Sequence, residues 1–406
     1  MKKMKKYYFL AAGLLLMLGS CSQDDIVEAN LGADEIRFAA VTNGSTRAAD
    51  IYNPTNMPAS FQVSAMSQGK VYISDDKIER KGSEAPYTWE NSTGTRYWPE
   101  DAVDFYAHVN AGTTFALNSG APTFNNFTVE SAVGSQVDLL YAVKKGETKE
   151  TTPVQLNFRH ALSQIVFKAR NESENIFVQI KGVKVKNVKN SGTYKFPTTT
   201  DPNLPTSGTA DSENRGSWTL ADTKAEYNVT FNLTGVKGSK TNPTVVNLTD
   251  VKGTALMLMP QTTNAWNPET NPDPDGSTAG SEATTDTYLL VDCVIYNVSG
   301  EGSDLPGDNV CLWGDGSNGS YTTKELAIPV KFDWKEGHKY TYTLVFGNGN
   351  GGYDPDPEDP DNPEPVLVPI SFEVTVDEFL DGGSYDVESP NDQGTLVDDE
   401  EEGAGA

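Results

Sequence analysis

The chain has 406 residues, with 31 basic against 57 acidic side chains, a formal charge of −26, three cysteines and three histidines. That length exceeds what one small core organises and calls for roughly two domains. The acidity excludes an electrostatic grip on nucleic-acid phosphates, and three histidines leave little for zinc, haem or acid–base chemistry, so neither a cofactor nor a metal is expected.

In chain order, Met1–Lys6 carries four lysines, and Tyr7–Leu18 is an apolar run too short to remain as a membrane helix. Residues 1–20 therefore read as a secretory signal peptide. The run ends in Leu18-Gly-Ser-Cys21, which resembles the bacterial lipobox: small residues admit a peptidase, and the Cys21 thiol receives a diacylglycerol. Ser22-Gln-Asp-Asp25 is similar to the short acidic signal that sends some Gram-negative lipoproteins to the outer face of the outer membrane. A chain beginning at Cys21 has 27 basic against 57 acidic residues, or −30.

Abundant Gly (36) and Pro (23), with many Asn, Ser and Thr, favour turns and strands, and no 3.6-residue period is sustained beyond the leader. Strands are expected at Glu35–Val41, Phe61–Met66, Val103–Val109, Val137–Val143, Val154–Phe158, Ser163–Ala169 and Phe177–Val188. Further ones fall at Tyr227–Thr234, Ala255–Met259, Thr287–Val298, Glu325–Phe332, Lys339–Phe346 and Val368–Val376. In Lys339–Phe346 the residues Tyr340, Tyr342, Leu344 and Phe346 share one face, so that face is packed and the other partly wet. Short strands between Gly, Asn, Asp and Pro turns point to an all-β chain of sandwiches. The polar stretch Asn190–Gly216 reads as a long loop or boundary, placed near residue 190.

Gly347–Pro365 is Gly-, Asp- and Pro-rich, a composition that buries no core and reads as an extended, self-repelling linker. Beyond it Val368, Ile370, Phe372, Val374 and Val376 fall on one face of an isolated strand, which needs a groove in its own domain or in another molecule's sheet. From Asn350 onward there are 18 acidic residues and no Lys or Arg.

Other candidate sites are weaker. Cys293 and Cys311 lie in strand-like surroundings and either pair or pack as small hydrophobes. Asn271-Pro-Asp-Pro-Asp-Gly276 with Glu282 nearly fits a calcium loop, but Asn replaces the first Asp and two prolines stiffen it, so an acidic surface loop is the simpler reading. His160, His108 and His338 read as structural. Tyr87, Trp89, Tyr97 and Trp98 either stack on sugars or belong to a core, the commoner case. No catalytic residue is assigned, and the chain is not expected to be an enzyme.

Several stretches resemble the fimbrillin family of type V pilins and pilin-like surface lipoproteins. They are Arg96-Tyr-Trp-Pro99 with Val103–His108, Asp138–Ala142, Leu156–Lys168, Ala255–Gln261 and Trp334–Tyr342, in the family's order. The resemblance implies two transthyretin-like β-sandwich domains, a lipoprotein precursor, and assembly by strand exchange: a protease cuts after an Arg that follows the first strand, and a neighbour's C-terminal strand fills the vacated groove. Arg47, in the small polar loop Thr42–Asp50, is the candidate cut site, leaving Ala48 as the new N-terminus. The leaving strand carries Ile36, Phe38 and Ala40, and the arriving one Ile370, Phe372 and Val374 at comparable spacing.

The expected organisation is thus a signal peptide (1–20), a lipidated propeptide with the first strand (21–47), an N-terminal sandwich (48–190), a C-terminal sandwich (191–346), and an acidic linker with the donor strand and a tail (347–406). The expected partners are other pilin subunits, the outer membrane through the precursor's lipid, and a host or bacterial surface ligand, at the cell surface and in the fimbrium after maturation. The alternative role is a non-polymerising anchor or tip subunit, or a carbohydrate- or host-binding adhesin, because an acidic, Gly-rich tail (Gly394–Ala406) follows the donor strand.

Overall fold

A computed structural model of the chain describes residues 34–42, 57–83, 87–117, 122–149, 153–198, 215–249, 255–277, 282–300, 310–317, 320–348, 351–355, 370–378 and 384–387. These residues form strands and two short 3-10 turns, with no α-helix among them. The first half carries β1 (Phe38–Thr42), β2 (Ser60–Ser67), β3 (Lys70–Lys81), β4 (Thr88–Asn91), β5 (Val103–Val109), β6 (Phe115–Ala116), β7 (Thr123–Thr128), β8 (Leu140–Glu147) and β9 (Val154–His160). Then come β10 (Ser163–Asn171), β11 (Ile176–Lys189), β12 (Ser191–Lys195), β13 (Ser217–Leu220), β14 (Lys224–Lys237), β15 (Val246–Asn247) and β16 (Leu256–Leu258). The last are β17 (Tyr288–Asn297), β18 (Cys311–Trp313), β19 (Asp315–Ser317), β20 (Ser320–Thr322), β21 (Lys324–Pro329), β22 (His338–Phe346), β23 (Ile370–Glu378) and β24 (Ser384–Val387).

The all-β expectation holds, and the strands gather into separate sheets. A seven-stranded sheet runs β1-β9-β8-β5-β2-β3-β4, and a second runs β15-β10-β22-β23-β24 with β16 also on β10. A third runs β14-β11-β17-β18 with β21 on β17, and a fourth β13-β12-β7-β6. Alternation divides the seven-stranded sheet between two cores. Val103, Phe105, Ala107, Leu140 and Ala142 enter one cluster with Phe38, Phe61 and Phe158, while Tyr106, Leu139, Tyr141 and Val143 enter a larger one that extends to Tyr342 and Ile370.

Three expectations are corrected. The stretch after Asn190 is not all loop, since Ser191–Lys195 is β12, paired on both sides, with Tyr194 and Phe196 buried among aromatic rings. The ladders already change partners after His160, since β10 and β11 pair with β22, β14 and β17. At residue 190 the chain passes from the third sheet to β12, which returns to β7, so the strands before and after 190 do not form two separate groups. The linker is pinned near its start: Tyr353 exchanges backbone hydrogen bonds with Ala327 at 2.8 and 2.9 Å and packs on Trp266, while Gly351 and Gly352 are buried.

Candidate assembly interface

The first strand closes a ring of hydrogen bonds. Residues Asp34–Ile36 pair with the Arg96–Trp98 segment: the Ile36 N–H donates to the Arg96 carbonyl at 2.9 Å and the Trp98 N–H to that of Asp34 at 2.8 Å. One step further along, β1 runs parallel to β9 with Phe38 opposite Val154 and Ala40 opposite Leu156. One short segment thus bridges the β9 edge of the seven-stranded sheet and the chain just beyond β4 at its other end. Its apolar face points inward, with Ile36 and Phe38 buried and Ala40 packed against the same cluster. Phe38 meets Phe61 and Phe105 edge-on, at centroid distances of 6.4 and 5.6 Å. At about 1.5–3 kcal/mol for each large apolar side chain buried, this slot prefers a filled to an empty state by several kcal/mol.

The wall that receives Ile36 is fixed by charge. Arg96 grips buried Asp76 with two bonds, Nε to Oδ2 at 2.7 Å and Nη2 to Oδ1 at 2.9 Å, and Asn91 adds a third. Burial alone would raise the Asp76 pKa, but the Arg96 and Asn91 contacts outweigh it and hold the carboxyl below its ordinary value. The Arg96 backbone that accepts from Ile36 is therefore held by its own side chain. Asp76 lies in a polar strand that gives no sequence signal, so the pair was not foreseen.

At the other end of the chain, β23 pairs antiparallel with β22, Phe372 opposite Leu344 and Val374 opposite Tyr342, and β24 pairs with its outer edge. The expected single apolar face is present: Ile370 is buried, and Phe372, Val374 and Val376 pack partly buried against the larger core. Phe372 lies 6.3 Å from the Tyr342 ring, and Arg170 forms an ion pair with Glu373. Of the two homes the sequence left open for this strand, the chain by itself uses its own sheet. Cys21, Arg47, Ala48 and Val368 lie outside the described residues.

The segments Leu156–Lys168 and Trp334–Tyr342 meet at a buried polar junction. The Ser163 hydroxyl donates to the Lys335 carbonyl at 2.8 Å and the Gly337 N–H to that of Leu162 at 2.9 Å. Between them the Glu336 carboxylate Oε1 accepts from Tyr141 and Tyr194 hydroxyls at 3.2 and 3.1 Å, and Arg215 donates to the Glu336 carbonyl at 3.0 Å. His160 sits beside buried Asp138, Nδ1 to Oδ1 at 2.8 Å. Burial pushes the Glu336 carboxyl up to about 7, against the pull of Arg215 and the two hydroxyls.

This carboxyl keeps its proton in the folded chain over a range where the unfolded chain loses it. Its stabilising proton is therefore fully retained below 4.5 and lost as the pH rises to about 7, weakening the fold by about 3 kcal/mol in total. Glu336→Gln should flatten stability across that window, as read by urea midpoints at its two ends. An unchanged slope in the variant would assign the pH dependence elsewhere.

The remaining candidates resolve simply. Cys293 is buried and Cys311 partly exposed, and both are free thiols. In the acidic loop the Asp273 carboxylate accepts from the N–H groups of Gly276 and Ser277 at 3.0 and 3.2 Å, closing the turn itself. Among the described residues no group of three or more His, Cys, Asp and Glu is placed to hold a metal. Trp98 and Trp89 belong to the smaller core, Tyr97 is exposed, and Tyr87 lies under Arg80.

A family described as fimbrillin-like matches residues 46–359, most of the chain. The chain belongs to the fimbrillin-like family. That membership supports a fimbrial or adhesion subunit at the cell surface that assembles with other pilin subunits. Among solved structures, the fimbrillin-like chain is similar to a fimbrial protein from Bacteroides vulgatus, at 18% identity over 84% of this chain and 99% of that one, with a TM-score of 0.47. A candidate cell adhesion protein from Parabacteroides distasonis gives 12% identity over 84% and 96%, with a TM-score of 0.43. Another from Bacteroides uniformis gives 12% over 85% and 98%, with a TM-score of 0.40. No curated protein matches.

Proposed function

We propose that this fimbrillin-like chain is the precursor of a structural fimbrial subunit, lipidated on Cys21 for export to the outer membrane. It is matured by cleavage between Arg47 and Ala48 and polymerised by donor-strand exchange, and its role is structural rather than catalytic. The observation that carries the reading is the first strand. It bridges two edges with Ile36, Phe38 and Ala40 in one apolar slot, and only the short segment from Asn43 separates it from Arg47. Residues 36–40 and 370–374 share the pattern Ile-x-Phe-x-aliphatic, so the run Val368–Val376 offers a neighbour apolar side chains at matching spacing.

A second reading has its own support: β23 is laddered by β22 and β24, as expected of an integral strand in a non-polymerising anchor, tip or adhesive subunit. The experiment is the intact mass and N-terminus of protein recovered from cell surfaces, with Arg47→Ala beside wild type. Chains in filaments should begin at Ala48, and Arg47→Ala should accumulate as a folded, unpolymerised precursor because the first strand still fills its slot. Normal filaments from Arg47→Ala would end the maturation scheme, and a lipidated Cys21 on every full-length chain would favour the anchor.

A further inference from the structure

A second feature lies on the face of the seven-stranded sheet opposite the slot, at the margin of the larger core. A cavity of about 380 Å3 opens there between β2, the β3 bend and the turn leading into β6, lined by Gln62, Ser64, Ser74, Asp75, His108 and Phe115 among others. Its backbone is unusual. Asp75 adopts a left-handed conformation (φ +55) where the β2–β3 register shifts, stabilised by its N–H donating to the Ser64 hydroxyl at 2.8 Å. The bend sends neighbouring carboxylates to different partners: Asp76 goes to Arg96, while Asp75 faces His108, Oδ1 to Nε2 at 3.0 Å. A non-glycine residue held in this region of backbone space costs free energy and is a reason to look for a function.

His108 supplies the second observation. The ring is 1% exposed and lies tilted against Phe115, centroids 4.4 Å apart, and its Nδ1 has no hydrogen-bond partner. A buried ring with one nitrogen unpartnered is costly, and Asp75, whose side chain is open to the cavity, is the group through which a ligand would bear on it.

The lining selects the ligand's chemistry. The cavity has no Lys or Arg, and the chain is strongly acidic, so an anion is repelled. One carboxylate, already engaged by a histidine, is too few for a metal. An apolar guest would leave Gln62, Ser74 and Thr113 facing it unpaired. Hydroxyl and amide groups around a single aromatic ring, with Val71 and Leu117 also in the lining, suit a neutral ring with hydroxyls at its edge and an apolar face. We propose that this cavity binds one neutral hexopyranose unit, with Asp75 and Gln62 bonding its hydroxyls and Phe115 against its apolar face. The site is independent of polymerisation, because none of its lining residues belongs to the first strand or to β23.

The test uses the uncut precursor, monomeric by the scheme above, so its outcome does not depend on filament assembly. Methyl glycosides of glucose, galactose, mannose, fucose and N-acetylglucosamine are titrated by calorimetry, while 15N resonances of the histidine rings are followed, with sialic acid and putrescine as charged controls. At least one neutral glycoside should bind at about millimolar strength or tighter and shift the His108 nitrogens. Asp75→Ala should weaken that binding about tenfold or more. Ser74→Tyr, at an exposed position that fills the cavity without touching the core, should abolish it. Binding by none of the neutral glycosides, binding undiminished in Ser74→Tyr, or binding by the charged controls alone would overturn the proposal.

Discussion

Phe38→Asp should destabilise the uncut precursor by about 3–5 kcal/mol, the cost of emptying a buried aromatic site, with the burial of a charge added to it. Phe38 is buried between Phe61 and Phe105 in the smaller core, and the strand carrying it has few other apolar contacts besides Ile36 and Ala40. A charge at this point should lift the whole segment from the slot rather than leave a local void. The loosened strand should also present the Arg47 loop to trypsin more often, because cleavage follows the population of the open state. Once cut after Arg47, wild-type and variant chains are chemically identical. The variant should therefore depress precursor stability and accelerate cleavage, yet yield filaments with wild-type stability. Urea unfolding of the precursor and of purified filaments separates these effects. An unchanged precursor would mean that the strand does not hold the slot closed, and filaments retaining residue 38 by mass would mean that it never leaves.

How far the sequence disclosed this arrangement depended on whether the signal was local. Lys339–Phe346, Phe177–Val188 and Thr287–Val298 were legible because their apolar residues are dense or alternate over many positions, and each forms a long central strand. β3 was not. In Lys70–Lys81 only Ile73, Asp76 and Ile78 are buried, and the irregular pairing at Asp75 breaks the period of two that would announce a strand. β12 was hidden in polar composition. Its Gly192 reads as a turn signal, but a Cβ there would come within 2.7 Å of the Thr219 carbonyl of β13, so close strand approach requires the glycine.

The same division runs through the candidate interface. The inward positions Ile36, Phe38 and Ala40 were readable as one face, as were Ile370, Phe372, Val374 and Val376. What fixes the slot was not readable, because Arg96 and Asp76 lie twenty positions apart on polar segments and only folding brings them together. Tyr353 was equally hidden. Acidic, proline-rich composition predicts an extended arm, yet one aromatic ring among Trp266, Tyr288 and Ala327 suffices to dock its beginning.

Phe372→Asp should abolish filament assembly while lowering monomer stability by only about 1–2 kcal/mol, less than the full burial of a phenylalanine is worth. The asymmetry follows from two environments. In its own sheet Phe372 is partly buried, against Tyr342, near one margin of the sheet. In a neighbour's slot it would take the place of Phe38, buried and ringed by Phe61 and Phe105, where a carboxylate finds no partner. Val374 would replace Ala40, adding methyl groups where the leaving strand had few, so exchange after cleavage gains apolar contact. Deletion from Pro365 onward should act like Phe372→Asp on assembly and should leave β22 with an open edge, raising the tendency of the monomer to aggregate. The deciding measurement pairs thermal unfolding of the monomer with electron microscopy of filaments. Lost filaments with a nearly unchanged monomer support exchange. If Phe372→Asp instead collapses the monomer, β23 is an integral strand of its own sheet, and the subunit that polymerises draws its donor from elsewhere.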